Sequence, residues 1–361
     1  MERVGLVGTG LIGGSLGLAL RAAGVDVVGF DAEHDRAEEA MACGAIDAVA
    51  PTPEACAGSD LTVVAVPVNA IVEVVGVLLD AGAPAVTDVG SVKGPVVHGV
   101  ERARPAAAER FVGGHPMAGS EQEGVAGADG RLFNGSTWVL TPTQNTGSDA
   151  FGTARALVDT AGAEAVALGP DEHDALVAMV SHVPQLAAST LMDLAAARGS
   201  DHRALLRLAA GGFRDMTRIA AADPAIWPDI CVSNRDAIVE ALDRYVDALG
   251  RIRDVVADGE RQGLLDVLER ARTARRNLPI AAVESGDLVE MRVPVPDRPG
   301  VLAEVTTTAG RLGVNILDVE IAHSTEGPAG VLVITTPRED ATEFESALRS
   351  AGYHPAVSPI V

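Results

Sequence analysis

The segment that decides the fold is VGLVGTGLIGGS, residues 4–15. A short apolar run leads into a Gly-rich turn, and an apolar helical pattern follows the turn. A strand that passes into a helix through Gly8-x-Gly10-x-x-Gly13 is typical of the first βαβ unit of a dinucleotide-binding domain. In this turn the first glycine allows the bend, the second admits a pyrophosphate and the third lets helix and strand pack closely.

The next strand predicts which nucleotide would bind. This strand covers 25–30, and Asp31 stands at its end. Asp31 is about 18 residues beyond Gly13, close to the ~20 expected for a carboxylate that binds ribose hydroxyls. Because a carboxylate repels a 2′-phosphate, we predict NAD rather than NADP. The backbone N–H groups at Leu11 and Ile12 should help to hold the diphosphate at the helix start. The alternative is a chance match in a chain with 39 glycines, with Asp31 as a turn residue.

Patterning along the chain predicts three domains. Strands at 61–66, 83–89 and 110–113 alternate with helical segments, which indicates a doubly wound parallel sheet of the Rossmann type. From about residue 170 the chain is rich in Ala, Leu, Asp and Arg with little strand pattern, and we predict an all-helical domain. Strand and helix patterns then return in a small α+β unit. The predicted domains are a dinucleotide-binding domain over 1–169, a helical domain over 170–280 and an α+β domain over 287–361.

Composition excludes several classes of function. Apolar residues make up 47% of the 361 residues, and 50 acidic against 28 basic side chains give a net charge of −22. This balance argues against nucleic acid or an anionic membrane surface as a partner. No apolar run reaches the ~18 residues of a membrane span, and the first residues lack a signal-peptide pattern. Cys43, Cys56 and Cys231 are scattered, so neither a disulfide framework nor a metal site is predicted. We expect a cytoplasmic enzyme.

Two Gly-rich stretches follow predicted strands: TDVGSVKG at 87–94 and GGHPMAGSE at 113–121. Both should line the crevice at the carboxyl ends of the strands. We predict that His115 lies in a loop and acts as a base, because an imidazole titrates near neutral pH; a structural role is the alternative. Lys93 is the only lysine among 28 basic residues. Lys93 can contact a phosphate or the substrate, or it can lie at the surface, and the sequence does not choose between these roles.

These stretches, with SHVPQ at 181–185 and GGFRDMTRIAAADPAIW at 211–227, resemble the prephenate/arogenate dehydrogenase family of tyrosine biosynthesis. The resemblance covers residues 3–276 in the family's order. The last domain resembles an ACT regulatory domain, in which an effector binds near a turn that precedes a helix. The residues that carry this second resemblance are Asp297, Arg298, Pro299, Gly300 and Asn315.

The family resemblance implies an activity and a set of site residues. The reaction is the NAD-dependent oxidative decarboxylation of prephenate to 4-hydroxyphenylpyruvate. His115 would be the base, Ser91 its hydrogen-bonding companion and Arg218 the group that binds a substrate carboxylate in the cleft between two domains. The residues expected to contact substrate or to shape its pocket are Ser181, His182, Gln185, Glu121 and Trp227.

Each of these residues has a simpler interpretation. Arg218 can be a surface arginine, Trp227 a core aromatic and His182 a core histidine. We assign no function to His98, His173 and His323, which we interpret as solvated or structural.

Other functions stay open. Gln185 stands where prephenate-using relatives often carry a second histidine, so arogenate dehydrogenase is the alternative, although we favour prephenate. A non-catalytic sensor and another β-hydroxyacid dehydrogenase also fit the domain layout, but neither predicts the two Gly-rich stretches together. The ACT resemblance implies inhibition by tyrosine or another aromatic amino acid, or else a role in oligomerisation alone. The Ala/Leu-rich helices predict a homodimer.

Overall fold

The computed structural model describes residues 1–119, 122, 124–199, 211–277, 288–296, 298–323 and 329–359. It divides into two compact units, 1–250 and 251–361. Glu121 and Asp297, two of the predicted site residues, lie outside the described residues.

The first unit is built on an eight-stranded sheet of order β3-β2-β1-β4-β5-β6-β7-β8. Its strands are β1 Arg3–Val7, β2 Asp26–Phe30, β3 Ala48–Val49, β4 Leu61–Val64, β5 Val86–Asp88, β6 Phe111–Pro116, β7 Thr137–Thr141 and β8 Glu164–Ala167. This arrangement confirms the predicted Rossmann-type sheet, with one exception. Strands β6 and β7 are antiparallel. A parallel return needs a crossover, usually a helix, and the described part of the β6–β7 connection contains only a short 3₁₀ turn.

Helices cover both faces of this sheet. They are α1 Leu11–Ala22, α2 His34–Ala42, α3 Val68–Asp80, α4 Gly94–Ala103 and α5 Ser148–Thr160. Because side chains alternate along a strand, Leu6 of β1 packs into one apolar cluster with residues of α1 and α5. Its neighbour Val7 packs into a second cluster with residues of α3 and α4. The sheet is therefore buried on both faces, and its ligand-accessible part is the edge at the strand ends.

A helical region follows the sheet. It contains α6 Pro170–Val177, a π-helical turn Ala178–His182, α7 Val183–Gly199, α8 Gly211–Thr217, α9 Trp227–Ser233, α10 Arg235–Ala257 and α11 Arg261–Arg276. The boundary between the two compact units falls within α10. The predicted helical domain is confirmed.

A continuous helix runs from Pro170 to Ala197 and contains Pro184. Proline lacks an N–H and crowds the carbonyl four residues earlier, and a wider π turn lies just before this proline. By length and composition this helix could cross a membrane, contrary to the sequence expectation, but core helices of soluble proteins pass the same test. It carries buried His173, Asp174 and His182, which belong to the site described below.

The second unit contains a four-stranded antiparallel sheet of order β10-β11-β9-β12. Its elements are β9 Leu288–Pro296, α12 Val301–Leu312, β10 Asp318–His323, β11 Ala329–Pro337, α13 Arg338–Ser350 and β12 Ala356–Pro359. Val305, Ile334 and Phe344 form its buried core. Gly300 precedes α12 with φ of 90°, a conformation that favours glycine. The predicted α+β unit is confirmed.

Candidate active site

The Gly-rich turn between β1 and α1 leaves space for a ligand at one glycine only. A Cβ added at Gly8 would overlap the carbonyl oxygen of Ala65, and one added at Gly13 would overlap the carbonyl oxygen of Gly8. At Gly10 a Cβ would meet nothing within 4 Å. The outer glycines are therefore required by packing of the chain on itself, whereas the middle one opens to space. The N–H groups at Leu11 and Ile12 have no partner within their own helix turn, so the turn fits a diphosphate.

Asp31 lies next to this turn. It directly follows β2, and its Oδ2 accepts hydrogen bonds from the backbone N–H of Thr9 at 2.8 Å and from the Thr9 hydroxyl at 3.1 Å. Its Oδ1 accepts from the backbone N–H of Glu33 at 3.0 Å. The carboxylate is half-buried beside the Gly-rich turn. This is where the sequence places a ribose-binding acid.

His115 is a strand residue, which corrects the predicted loop. It lies in β6, where it is paired with Val139 of β7. Its half-buried ring contacts a second imidazole: His115 Nδ1 is 2.8 Å from His173 Nε2. Burial, and then the nearby His173 and Lys93, hold the pKa of His115 well below its usual value. The ring is therefore uncharged at neutral pH, as a base must be. The half-buried Ser91 forms no hydrogen bond to His115, so the observed companion is His173.

The role of His173 was missed by the sequence analysis. The side chain is 1% exposed, so it is not solvated, and its Nδ1 lies 2.8 Å from Asp174 Oδ1. Asp174 also accepts the backbone N–H of Lys93 at 2.7 Å and that of Gly94 at 2.8 Å, at the start of α4. A His-Asp pair at the start of an apolar helix was the available signal, but its nearness to His115 depends on tertiary packing.

Lys93 is fully buried, which rules out the surface role left open for it. Its ammonium forms an ion pair with the fully buried Asp88 and donates to the carbonyl of Gly114 at 2.8 Å. Asp88 in turn accepts from the backbone N–H of Gly114 at 3.1 Å. Burial lowers the pKa of Lys93, against the attraction of Asp88. The pair thus fixes the backbone immediately before His115 and joins the ends of β5 and β6.

His182 lies in a second polar group of the helical region. Asn234 Nδ2 donates to the carbonyl of Asp174 at 2.9 Å and lies 3.2 Å from His182 Nδ1. The Trp227 ring packs edge-on, with the ring centroids 6.1 Å apart. Burial lowers the pKa of His182 to about 4. Gln185 is buried one turn further along. An uncharged His182 whose Nδ1 accepts a hydrogen bond carries its proton on Nε2, so it can act as a donor.

Ser181, Trp227 and Arg218 are the other predicted residues of the helical region. Ser181 is half-buried beside His182 in the π-helical turn. Trp227 has a buried indole Nε1 with no hydrogen-bond partner among the described residues. Arg218 is exposed and begins the turn Arg218–Ala221, which packs against α7. The helical region therefore supplies donors that a small polar ligand can use.

The turn before α12 forms a separate polar group in the second unit. Arg298 forms a bidentate ion pair with Glu304, in which its two terminal nitrogens lie 2.9 and 2.8 Å from the two carboxylate oxygens. The Tyr353 hydroxyl donates to the same carboxylate at 2.6 Å. Pro299 and Gly300 are exposed in the turn. The exposed Asn315 accepts the Thr336 hydroxyl on its backbone oxygen at 3.1 Å.

A Gly-rich nucleotide turn, an uncharged histidine on a strand of the same sheet and a helical region with buried polar groups define a dinucleotide-dependent dehydrogenase. Comparison with known families gives three matches in chain order. They are the prephenate dehydrogenase nucleotide-binding domain over 16–167, the prephenate dehydrogenase dimerization domain over 169–270 and the ACT domain over 290–351. The chain belongs to the prephenate dehydrogenase family and carries a C-terminal ACT domain, as the sequence resemblance predicts.

Individual relatives agree with this assignment. Prephenate dehydrogenase of Bacillus subtilis is 33% identical over 344 residues, which cover 93% of this chain and 92% of the relative. Cyclohexadienyl dehydrogenase of Zymomonas mobilis is 29% identical, with 76% of this chain and 95% of the relative covered.

Solved structures show the same family likeness. Prephenate dehydrogenase from Aquifex aeolicus in complex with hydroxyphenyl propionate and NAD+ matches with a TM-score of 0.71 and 29% identity, covering 76% of this chain and 97% of that one. Arogenate dehydrogenase from Synechocystis matches with a TM-score of 0.67 and 27% identity, covering 76% and 99%. These two similar scores belong to enzymes named for different substrates, so family membership alone does not choose the substrate.

Proposed function

We propose that this chain catalyses the NAD-dependent oxidative decarboxylation of prephenate to 4-hydroxyphenylpyruvate in the cytoplasmic synthesis of tyrosine. The observation that carries the proposal is the uncharged His115 in β6. Because β1 and β6 run in the same direction in one sheet, the end of β6 and the nucleotide turn lie at the same edge. This edge is where hydride acceptor and base must meet.

The residues suit the chemistry of the reaction. The turn at Gly10 and the Asp31 carboxylate would hold NAD, which would supply the acceptor for the hydride that leaves the carbinol carbon. His115 takes the hydroxyl proton as the C–O bond gains double-bond character. Loss of the ring carboxylate as CO2 makes the ring aromatic, and the chain mainly has to position its substrate. Ser91 is proposed to hold the substrate hydroxyl near His115.

The substrate is a dianion in a chain of net charge −22, so it needs local donors and a cation. We assign Arg218 to one carboxylate, because a guanidinium matches it with two parallel hydrogen bonds. His182, through its Nε2 proton, Ser181 and Gln185 supply neutral polar contacts, and Trp227 forms an aromatic wall. Glu121 is proposed as a further polar contact.

Arogenate dehydrogenase is the second candidate. The buried Gln185 offers a neutral amide at a position where a second histidine is frequent in relatives that use prephenate. Arogenate carries an ammonium group where prephenate carries a keto group, and an amide oxygen can accept a hydrogen bond from that ammonium.

Steady-state kinetics with both substrates, each with NAD and NADP, test the proposal. We expect the larger kcat/KM for prephenate with NAD, and loss of turnover in His115→Asn. A larger kcat/KM for arogenate would transfer the assignment to the second candidate. Unchanged turnover in His115→Asn would remove the proposed base.

The ACT domain is proposed to bind tyrosine or another aromatic amino acid near Arg298 and Asn315. In a chain truncated to remove 286–361, we expect turnover to remain and inhibition by tyrosine to be lost. Inhibition that survives the truncation would place the effector in the active site instead.

The helical region is proposed to form a homodimer. Leu176, Met179, Val180 and Leu194 are large apolar side chains exposed on the helix Pro170–Ala197. The matching family model describes this region as a dimerization domain. Light scattering should give twice the 36.9 kDa chain mass, and a monomer at micromolar concentration would contradict the assignment.

A further inference from the structure

A hydrogen-bonded chain of three side chains leads from a buried carboxylate to the proposed base. We propose that Asp174 and His173 are positioning residues that hold His115 in the tautomer whose Nε2 carries no proton. This inference rests on the proposed role of His115 as the base. It adds two residues to which the family resemblance assigns no function.

The first step concerns Asp174. Its Oδ2 accepts the N–H of Gly94, while its Oδ1 accepts the N–H of Lys93 and lies 2.8 Å from His173 Nδ1. An ionised carboxylate only accepts hydrogen bonds, and the start of α4 favours a negative charge at this place. The proton in the third contact therefore belongs to His173, on Nδ1.

The second step concerns the contact between the two imidazoles. His173 is 1% exposed, and a neutral imidazole has one donor and one acceptor nitrogen. With its proton on Nδ1, His173 presents a lone pair on Nε2 to His115 Nδ1 at 2.8 Å. His115 must then be protonated on Nδ1. Its Nε2 is left with a lone pair, which is the form that can accept a proton.

The charged groups around this chain favour the same arrangement. Lys93 pairs with Asp88, and both are fully buried, so their charges largely cancel. His182 is uncharged near neutral pH. Asp174 remains as the anion that can stabilise the imidazole pair after it has accepted the substrate proton. The same pairing of carboxylate and imidazole orients the base in hydrolases that use a catalytic triad.

The first test compares two Asp→Asn variants on the same helix. Asp174→Asn allows the amide N–H to donate to His173, which reverses both tautomers and places a proton on His115 Nε2. We expect kcat to fall about 10²–10⁴-fold, the range of general-base catalysis, with KM for prephenate and Kd for NAD changed less than about threefold. Asp171→Asn is the matched control, because its side chain is 79% exposed and its ion pair is with His98, outside the chain of three side chains. Equal kcat in the two variants would overturn the proposal, as would a loss confined to KM.

The second test replaces the middle residue and does not disturb the contacts of Asp174 with α4. The side-chain oxygen of Gln in His173→Gln can reach the position of the imidazole Nε2 and accept from His115, whereas the shorter Asn in His173→Asn cannot. We expect the Gln variant to retain at least about tenfold more kcat than the Asn variant, since an oriented base is worth 10²–10⁴-fold. Equal losses in the two variants would show that packing alone requires His173.

A spectroscopic test needs no substrate. In protein labelled with ¹⁵N-histidine, protonated and unprotonated ring nitrogens give separate ¹⁵N resonances, and the His115 signals are those absent from His115→Asn. We expect a proton on Nδ1 and none on Nε2 near pH 7.5, with the order reversed in Asp174→Asn. A proton on Nε2 in the wild-type protein would overturn the inference. If the expected tautomer is observed but neither prephenate nor arogenate is turned over, the proposed function fails, whereas the role of Asp174 and His173 in setting the His115 tautomer stands.

Discussion

Replacing Lys93 by Met should cost the first unit a large part of its stability. The ammonium and the Asp88 carboxylate are both fully buried, and the ammonium also donates to the carbonyl of Gly114. Methionine fits the aliphatic path of the lysine but leaves Asp88 charged and without its counter-ion. Breaking a buried pair on one side typically costs about 3–5 kcal/mol. For a unit of this size that corresponds to a fall in Tm of roughly 6–20 °C.

The assay is thermal and urea unfolding followed by circular dichroism, with Arg104→Met as the matched control. Arg104 makes several hydrogen bonds to Asp80, but both side chains are over one-third exposed. An exposed pair of this kind contributes about 0–1 kcal/mol, so the control should change Tm little. The two variants remove the same charge, and they differ in whether the partner is left buried.

Adding Asp88→Asn to Lys93→Met tests the cause of the loss. The double variant no longer contains an unpaired buried charge. We expect it to recover at least about 2 kcal/mol of the free energy of unfolding, within the range of coupling for residues in contact. A loss below about 1 kcal/mol in Lys93→Met, or a double variant less stable than the single one, would refute the buried-pair argument.

Three further predictions follow from the site. The pKa of His182 is about 4 in the folded chain and about 6.5 when unfolded, so the unfolded state binds more protons between these values. The free energy of unfolding should therefore fall by on the order of 3 kcal/mol as pH drops from 6.5 to 4. Urea unfolding midpoints measured across this range should show that fall in the wild-type protein and a smaller one in His182→Gln. Asp31→Ser should raise KM for NAD and reduce the preference for NAD over NADP. An unchanged ratio of kcat/KM with NAD to kcat/KM with NADP would contradict the assignment of Asp31 to the ribose. Gly10→Ala should leave Tm unchanged and abolish the NAD binding measured by calorimetry, whereas Gly13→Ala should lower Tm. A lower Tm in Gly10→Ala with an unchanged Tm in Gly13→Ala would contradict the packing argument.

The nucleotide turn was predictable because its requirements are local. Gly8 bends the chain with a φ of 96°, and Gly13 packs closely against the carbonyl of Gly8 within one strand-turn-helix unit, so both can be recognised from their spacing. Asp31 follows from the same unit, since it comes directly after β2. The alternation of strands and helices also predicted the buried sheet.

The surroundings of His115 were not predictable in the same way. His173 is 58 residues away in sequence, and α6, which carries it, packs against both α4 and β7. The placement of His115 in a strand depends on its pairing with β7, which returns antiparallel after a long connection. Lys93 is bonded to a carbonyl of β6, a tertiary contact that leaves no periodic pattern in the sequence.

The burial of Lys93 has a practical consequence for work with the protein. As the chain has no other lysine, reagents that acylate primary amines find no accessible ε-amino group on the native fold. Crosslinking through ε-amino groups would need an introduced lysine, which adds one defined ε-amine to the α-amino group of the chain terminus. In the unmodified chain, acylation of Lys93 would report local opening around the strand ends, and mass spectrometry could follow its rate from the mass of the added acyl group.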